Sequence, residues 1–144
     1  MMNADAFGNE SERVVGPVQA PLVREIARPG RRVLGLCEFG DPHGFPVLAF
    51  HGNPGSRLMF RPANTIAQQL GLRLIAPDRP GTGASTIQPD RILSDWTKDV
   101  EAVLVACNID RFALLGVSGG GPFSVASAAY FGKRVCAQTL IGPV

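Results

Sequence analysis

Long hydrophobic runs are missing from this sequence. No stretch of its 144 residues approaches the roughly 18 consecutive apolar residues that a membrane-spanning helix needs. Residues 1–20 contain acidic side chains and lack the apolar core of a signal peptide. These absences predict a soluble protein without a membrane partner. Residues 1–20 are polar, contain Gly8, Gly16 and Pro17 and show no periodicity, so we expect them to form a flexible leader.

Cysteine is scarce, with only Cys37, Cys107 and Cys136 in the chain. The three are far apart, odd in number and set among apolar neighbours. That pattern is typical of buried, reduced thiols and not of a disulfide framework or a zinc site. We therefore expect a reducing, cytoplasmic compartment, and the sequence implies neither a metal nor a cofactor.

The chain also lacks a strong excess of charge of either sign. Lys and Arg total 14 against 12 Asp and Glu. The basic residues are scattered except for Arg24, Arg28, Arg31 and Arg32, which we expect to face solvent on one hairpin. Because binding to nucleic acid needs a sustained basic surface, we predict no nucleic-acid partner.

Apolar segments recur regularly along residues 21–144. Segments 22–27 and 33–39 flank a turn containing Pro and Gly, which predicts an antiparallel hairpin. Later segments predict strands alternating with single helices: strands 46–50, 72–76, 112–117 and 137–141, and helices 61–70, 92–107 and 119–131. This alternation implies an α/β fold, a mainly parallel sheet with helices on both faces.

The central predicted helix, 92–107, is amphipathic. Its apolar positions recur at helical spacing and comprise Ile92, Trp96, Val100, Val103, Leu104 and Cys107. The charged positions that we expect off this face, toward solvent, are Asp95, Lys98, Asp99 and Glu101.

The motif G-x-S-x-G spans Gly116 to Gly120 and falls where a buried strand gives way to a helix. That context is the one required of a nucleophile elbow, with Ser118 as the nucleophile. Glycine at Gly116 and Gly120 lets strand and helix cross closely. The alternative is a glycine-rich loop without chemistry or a phosphate cradle, but no G-x-x-x-x-G-K-[ST] pattern occurs.

A second loop, beginning at His51 and Gly52, follows the predicted strand 46–50. The backbone N–H of Asn53 is our candidate donor to an oxyanion, paired with the N–H of Gly119. For His51 we favour a structural hydrogen-bonding role over that of a general base, because it lies in this loop and not late in the chain.

Three motifs in this order resemble the α/β-hydrolase family, in the branch with a serine nucleophile. They are an HGxPG loop at 51–55, a D-R-P-G-x-G-x-S loop at 78–85 and a G-x-S-G-G-G-P elbow at 116–122. The first loop also resembles that of epoxide hydrolases and haloalkane dehalogenases. Those enzymes have an aspartate nucleophile, and Ser118 argues against both.

The resemblance implies an acid after a later strand and a histidine near the C-terminus. No Asp, Glu or His follows Ser118, and Asp78, Asp95 and Asp99 precede the elbow and are not candidates for the triad. We therefore expect residues 21–144 to be the N-terminal part of a hydrolase domain that is incomplete at its C-terminus. An exposed apolar edge near the last strand is then expected to favour self-association.

The expected function is that of a serine hydrolase acting on an ester, amide or related small-molecule acyl substrate. Without the acid and histidine, the chain alone is expected to be inactive, because the serine proton has no base to receive it. The alternative is a non-catalytic hydrolase-like fragment or a binding module.

Overall fold

The computed structural model describes residues 17, 18 and 20–143. The strands are β1 (Leu22–Arg28), β2 (Arg32–Gly40), β3 (Phe45–Phe50), β4 (Leu72–Pro77), β5 (Phe112–Val117) and β6 (Val135–Ile141). The α-helices are α1 (Asn64–Gln69), α2 (Asp95–Ala106) and α3 (Gly121–Phe131). Short 3₁₀ segments cover Pro29–Arg31, Arg57–Ala63, Ser118–Gly120 and Gly132–Arg134. The predicted leader lies almost wholly outside the described residues.

The six described strands form one mixed sheet in the order β1-β2-β4-β3-β5-β6. β1 and β2 form the predicted antiparallel hairpin, and β2 continues antiparallel to β4. The four strands β4, β3, β5 and β6 are parallel to their neighbours. The predicted α/β class is therefore confirmed, and the strand limits differ from the prediction by at most two residues.

Alternate residues of the central strands enter two hydrophobic cores, one on each face of the sheet. Leu48 and Ile75 pack with residues of α2 and α3, whereas Ala49 and Ala76 pack on the side of α1. Trp96 of α2 lies edge-on to a strand residue, Phe50, with ring centroids 5.2 Å apart. Helices thus cover both faces of the sheet, as the strand and helix alternation predicted.

The first helix is shorter than predicted. Residues Arg57–Ala63 form a 3₁₀ segment, and α1 begins only at Asn64. Pro62 lies inside the 3₁₀ segment, and a proline supplies no N–H for an α-helical hydrogen bond. Gly71, with φ +64°, stops the chain from continuing as helix, as its position predicted.

Two expectations for the central helix are wrong. Ile92 precedes α2 and is 65% exposed, so it does not belong to the apolar face. Asp99 is buried, and Oδ1 accepts hydrogen bonds from Arg28 Nε at 2.8 Å and Arg32 Nη2 at 3.1 Å. The hairpin lies against α2 and supplies these cations, so Asp99 does not face solvent.

The four arginines of the hairpin were expected to face solvent, and this expectation is also wrong for most of them. Arg28 and Arg32 pair with Asp99, and Arg24 Nε lies 2.9 Å from Glu38 Oε1. Of the four, only Arg31 is exposed without an ion pair among the described residues. The carboxylates come from β2 and α2, which the local sequence around the hairpin does not reveal.

The cysteine prediction is correct for two of the three thiols. Cys37 and Cys107 are buried and free, and burial raises the pKa of both thiols above 9.0. Cys136 is free but exposed, because β6 is the last strand of the sheet. Within the described residues, no helix combines the length and apolar composition needed to cross a bilayer.

Candidate active site

Three loops meet at one edge of the sheet because they leave adjacent parallel strands at their carboxyl ends. β3 runs into His51, β4 into Asp78 and β5 into Ser118. In parallel α/β sheets this edge is where ligands bind. The order β4-β3-β5 therefore brings together the three motifs that lie far apart in the sequence.

Ser118 lies at the sharp turn between β5 and α3. Its φ of +47° is in the left-handed region, which non-glycine residues enter at a cost. The surrounding packing holds this conformation. A Cβ on Gly120 would lie 2.2 Å from the carbonyl oxygen of Phe50, and one on Gly116 would lie 2.9 Å from Cβ of Ser124. Both glycines are therefore required for the close crossing of β5, β3 and α3.

The β3 loop lies directly beside this turn. A Cβ on Gly52 would come within 3.2 Å of Ser118 Cβ, and one on Gly119 within 3.2 Å of Asn53 Cβ and 3.5 Å of Asn53 N. No carbonyl or side chain among the described residues accepts a hydrogen bond from the Asn53 N–H. Ser118, Gly119 and Asn53 thus form a compact group at the start of a helix.

His51 is completely buried next to this group. Its Nε2 accepts a hydrogen bond from the Arg79 N–H at 3.3 Å, so the ring proton is on Nδ1 and is donated to Gly52 O at 2.9 Å. Burial, and secondarily the Arg79 charge, lower the pKa of His51 below 6.5. The imidazole is therefore neutral and joins the β3 and β4 loops, and none of its hydrogen bonds reaches Ser118.

Asp78 is also completely buried and has no free oxygen for chemistry. Its carboxylate accepts hydrogen bonds from the backbone of Arg57 at 2.6 Å and Ala84 at 2.8 Å, and it forms an ion pair with the Arg57 guanidinium. Gly83, with φ +52°, lies so close that a Cβ would meet the Asp78 carboxylate. Asp78 thus organises its own loop.

Arg79, the next residue, was not among the sequence candidates although it belongs to the second motif. Its Nη1 donates to Gly119 O at 2.7 Å and its Nη2 to Gly52 O at 2.9 Å. The guanidinium also lies 4.7 Å from the ring centroid of Phe123. Arg79 therefore ties the β3 loop to the elbow, and burial lowers the pKa of its guanidinium, with Arg91 adding to the effect.

An open pocket of about 430 Å³ lies over this group. Its lining residues are Asn53, Arg79, Thr82, Arg91, Ser118, Gly119 and Phe123. The lining contains the Ser118 hydroxyl, loop backbone and two guanidinium groups, but no carboxylate and no histidine. Within the described residues, no cluster of His, Cys, Asp and Glu could hold a metal ion.

A family model for the alpha/beta hydrolase fold matches residues 46–144, which contain all three loops. The chain belongs to the α/β-hydrolase fold family. The resemblance inferred from the three motifs is therefore confirmed for the family and the fold.

Curated relatives of this α/β-hydrolase chain are hydrolases. A proline iminopeptidase from Xanthomonas citri is 31% identical over 108 residues, which are 69% of this chain and 32% of the relative. A 2-hydroxy-6-oxo-2,4-heptadienoate hydrolase from Pseudomonas putida is 34% identical over 106 residues, 70% of this chain and 38% of the relative. The chain thus spans about a third of the length of these relatives.

Among solved structures, the epoxide hydrolase CorEH superimposes with a TM-score of 0.77 at 20% identity. The match covers 87% of this chain and 43% of that one. At this identity the similarity concerns the fold alone.

Arg91 and Phe123 line the pocket but, like Arg79, were not predicted as site residues from the sequence. Arg91 lies in the loop before α2, with its guanidinium 5.4 Å from the ring centroid of Phe123 on α3. Both lie outside the three loop motifs, although Phe123 directly follows the elbow motif at 116–122. Only the α/β-hydrolase sheet order brings these two residues to Ser118.

Proposed function

We propose that this chain carries the nucleophile and oxyanion donors of a serine hydrolase that acts on a small ester, amide or related acyl substrate. The observation that carries the proposal is the position of Ser118. It stands in a left-handed conformation at the β5–α3 turn, next to Gly119 and beside the Asn53 N–H, which donates to no described residue.

In this reaction the Ser118 Oγ attacks the carbonyl carbon, and its proton passes to a base. The carbonyl oxygen becomes an oxyanion that accepts hydrogen bonds from Asn53 N–H and Gly119 N–H, which are most effective when the negative charge is fully developed. The leaving group departs with a proton, and water then hydrolyses the acyl–serine ester. Gly52 and Gly116 permit the close approach of loop and strand.

The base is the component that this chain does not supply. No Asp, Glu or His follows Ser118, and the nearby His51 is held by Gly52 and Arg79. The curated relatives are about three times longer than the matched region. We infer that residues 21–144 are the N-terminal part of the catalytic domain, in which a later acid and histidine complete the triad.

Two buried, free thiols support a reducing, cytoplasmic compartment.

The lack of an acid and a histidine after Ser118 also favours a second candidate, a non-catalytic hydrolase-like fragment or binding module. In that case the pocket binds an acyl compound without turning it over. The two candidates differ in the reactivity of Ser118 once a base is present.

The first arm of the test uses the 144-residue chain. We expect no hydrolysis of p-nitrophenyl acetate that depends on Ser118, because losing triad members typically lowers kcat by several orders of magnitude. Comparison with Ser118→Ala measures this dependence. A large Ser118-dependent rate would contradict the proposal and would require His51, or a histidine of another subunit, as the base.

The second arm uses a version extended by a segment carrying the acid and histidine. A fluorophosphonate probe should then label Ser118 alone among the seven serines, as shown by peptide mapping. Ser94→Ala, an exposed serine outside the pocket, is the control that should leave labelling unchanged. Labelling at Ser56 or Ser85 would place the nucleophile elsewhere, and no labelling would favour the non-catalytic candidate.

A further inference from the structure

The pocket beside Ser118 contains positive charge that the described residues do not neutralise. All described arginines that are at least partly buried form an ion pair with a carboxylate, except two. Those two are Arg79 and Arg91, and both line this pocket. At every other partly buried arginine that the structure describes, the guanidinium has an acidic partner.

Arg79 contributes a fixed charge. It is 5% exposed, and its terminal nitrogens donate to Gly119 O and Gly52 O. Carbonyl oxygens satisfy these donors but do not cancel the charge. Burial of a cation without a counter-ion is unfavourable, so an anion entering the pocket would be stabilised.

Arg91 contributes the available donors. Its guanidinium stacks over Phe123 and donates no hydrogen bond to any described residue. Of the acidic residues in the surrounding loops, Asp78 pairs with Arg57 and Asp95 with Lys98. The neighbouring Asp90 is exposed and forms no ion pair with Arg91 among the described residues. The planar fork of Arg91 is therefore free to bind a carboxylate through two parallel hydrogen bonds.

We propose that the substrate of this site carries a carboxylate, which Arg91 binds while the ester or amide carbonyl lies at Ser118. Arg79 is a positioning residue, whose fixed positive charge stabilises the carboxylate in the pocket. The inference rests on the proposed function, because it takes the pocket over Ser118 as the substrate site. The carboxylate belongs either to the acyl part or to the leaving group, and Arg91 would recognise the same chemistry in both cases.

Binding can be measured on the ¹⁵N-labelled 144-residue chain by NMR, without any chemical turnover. Monomethyl succinate presents a carboxylate on the acyl side and dimethyl succinate is its neutral analogue. Acetoxyacetate presents the carboxylate on the leaving-group side, with methyl acetoxyacetate as its neutral analogue. We expect at least one acid to bind about tenfold or more tightly than its neutral analogue and to shift the Arg91 Nε–H resonance.

Arg91→Gln should remove this preference, while Arg91→Lys should retain part of it because the charge remains without the fork. Arg111→Gln is the matched control. Arg111 is exposed, has no ion pair among the described residues, and lies at the other end of β5 from Ser118, roughly 20 Å away. The control should bind both acids as the unsubstituted chain does.

Three results would overturn the proposal. Acids and neutral analogues could bind equally, Arg111→Gln could weaken binding as much as Arg91→Gln, or the Arg91 Nε–H resonance could stay unchanged at saturation. If Arg91→Gln does not fold, salt provides the second measurement. At about 1 M salt, where the screening length falls to about 3 Å, binding of the acids should weaken and that of the neutral esters should not.

Failure of this inference is distinguishable from failure of the proposed function. Fluorophosphonate labelling of Ser118 without any carboxylate preference would overturn the inference and leave the nucleophile intact. A carboxylate preference that depends on Arg91, without labelling of Ser118 in the extended version, would support the anion site and overturn the catalytic role.

Discussion

At the scale of single residues, His51 shows how burial decides the role of an ionisable group. The imidazole accepts the Arg79 N–H at Nε2, which only the neutral ring can do. Protonation would place two donors against each other and add a charge close to the Arg79 guanidinium. The same contacts that join the β3 and β4 loops engage both ring nitrogens of His51, which favours a structural role over that of a general base.

The lowered pKa of His51 predicts how stability depends on pH. The unfolded chain takes up a proton as the pH falls through about 6.5, whereas folded His51 does so only at lower pH. The contribution of neutral His51 is thus complete above about pH 6.5 and is lost as the pH falls toward the folded pKa. Urea unfolding should show a midpoint that falls as the pH drops below about 6.5.

The control for this prediction is the other histidine. His43 is exposed in the turn before β3, so His43→Gln should keep the fall in the urea midpoint, whereas His51→Gln should reduce it and lower stability at neutral pH. A midpoint independent of pH over this range in the unsubstituted chain would show that folding does not depend on neutral His51.

At the scale of elements, Asp99 connects the hairpin to α2. One carboxylate oxygen is shared by Arg28 from the end of β1 and Arg32 from the start of β2, while Oδ2 has no hydrogen-bond partner. Arg28 Nη2 also donates to Lys98 O at 2.9 Å. These contacts hold the antiparallel hairpin against α2, which packs in the same core as strands β2, β3 and β4.

We expect Asp99→Ala to lower the free energy of unfolding by about 2–4 kcal/mol, because two partly buried guanidinium groups lose their counter-ion. Glu101→Ala is the matched control on the same helix. Glu101 is exposed and has no ion pair among the described residues, so the control should change stability by less than about 0.5 kcal/mol. Urea unfolding followed by circular dichroism measures both, and equal effects would contradict the assigned role of Asp99.

At the scale of the whole molecule, the sheet ends in an exposed strand. β6 pairs only with β5 among the described strands. Leu140 and Ile141 are 38% and 54% exposed, and Cys136 is exposed on the same strand. An edge strand with unpaired backbone groups and apolar side chains is a template for pairing with another chain.

We therefore predict that the 144-residue chain self-associates through β6. Light scattering should show an apparent mass that rises with protein concentration, and Leu140→Lys should reduce this rise, because an edge lysine opposes strand pairing. Val105→Lys replaces an apolar residue that is 77% exposed on α2, and it should leave association unchanged. A monodisperse monomer with a cooperative, high-temperature transition would show that the edge needs no partner.

Local sequence determined the elements and the elbow. Apolar runs predict β3, β4 and β5 because strands buried on both faces must be apolar throughout. Gly116 and Gly120 indicate the sharp turn between β5 and α3, because no side chain fits where this strand and helix cross. Both signals arise from neighbours in the sequence, so they can be interpreted without the fold.

Only the tertiary structure decided which distant charges meet. Arg28 and Asp99 are 71 residues apart in the sequence, and hydrophobic periodicity assigned Asp99 to solvent because the pattern records polarity and not partners. Arg79 and Arg91 meet at the pocket because both guanidinium groups lie over the ring of Phe123, in the first turn of α3. Ion pairs and stacked cations depend on distances of a few ångströms, which the sheet order sets.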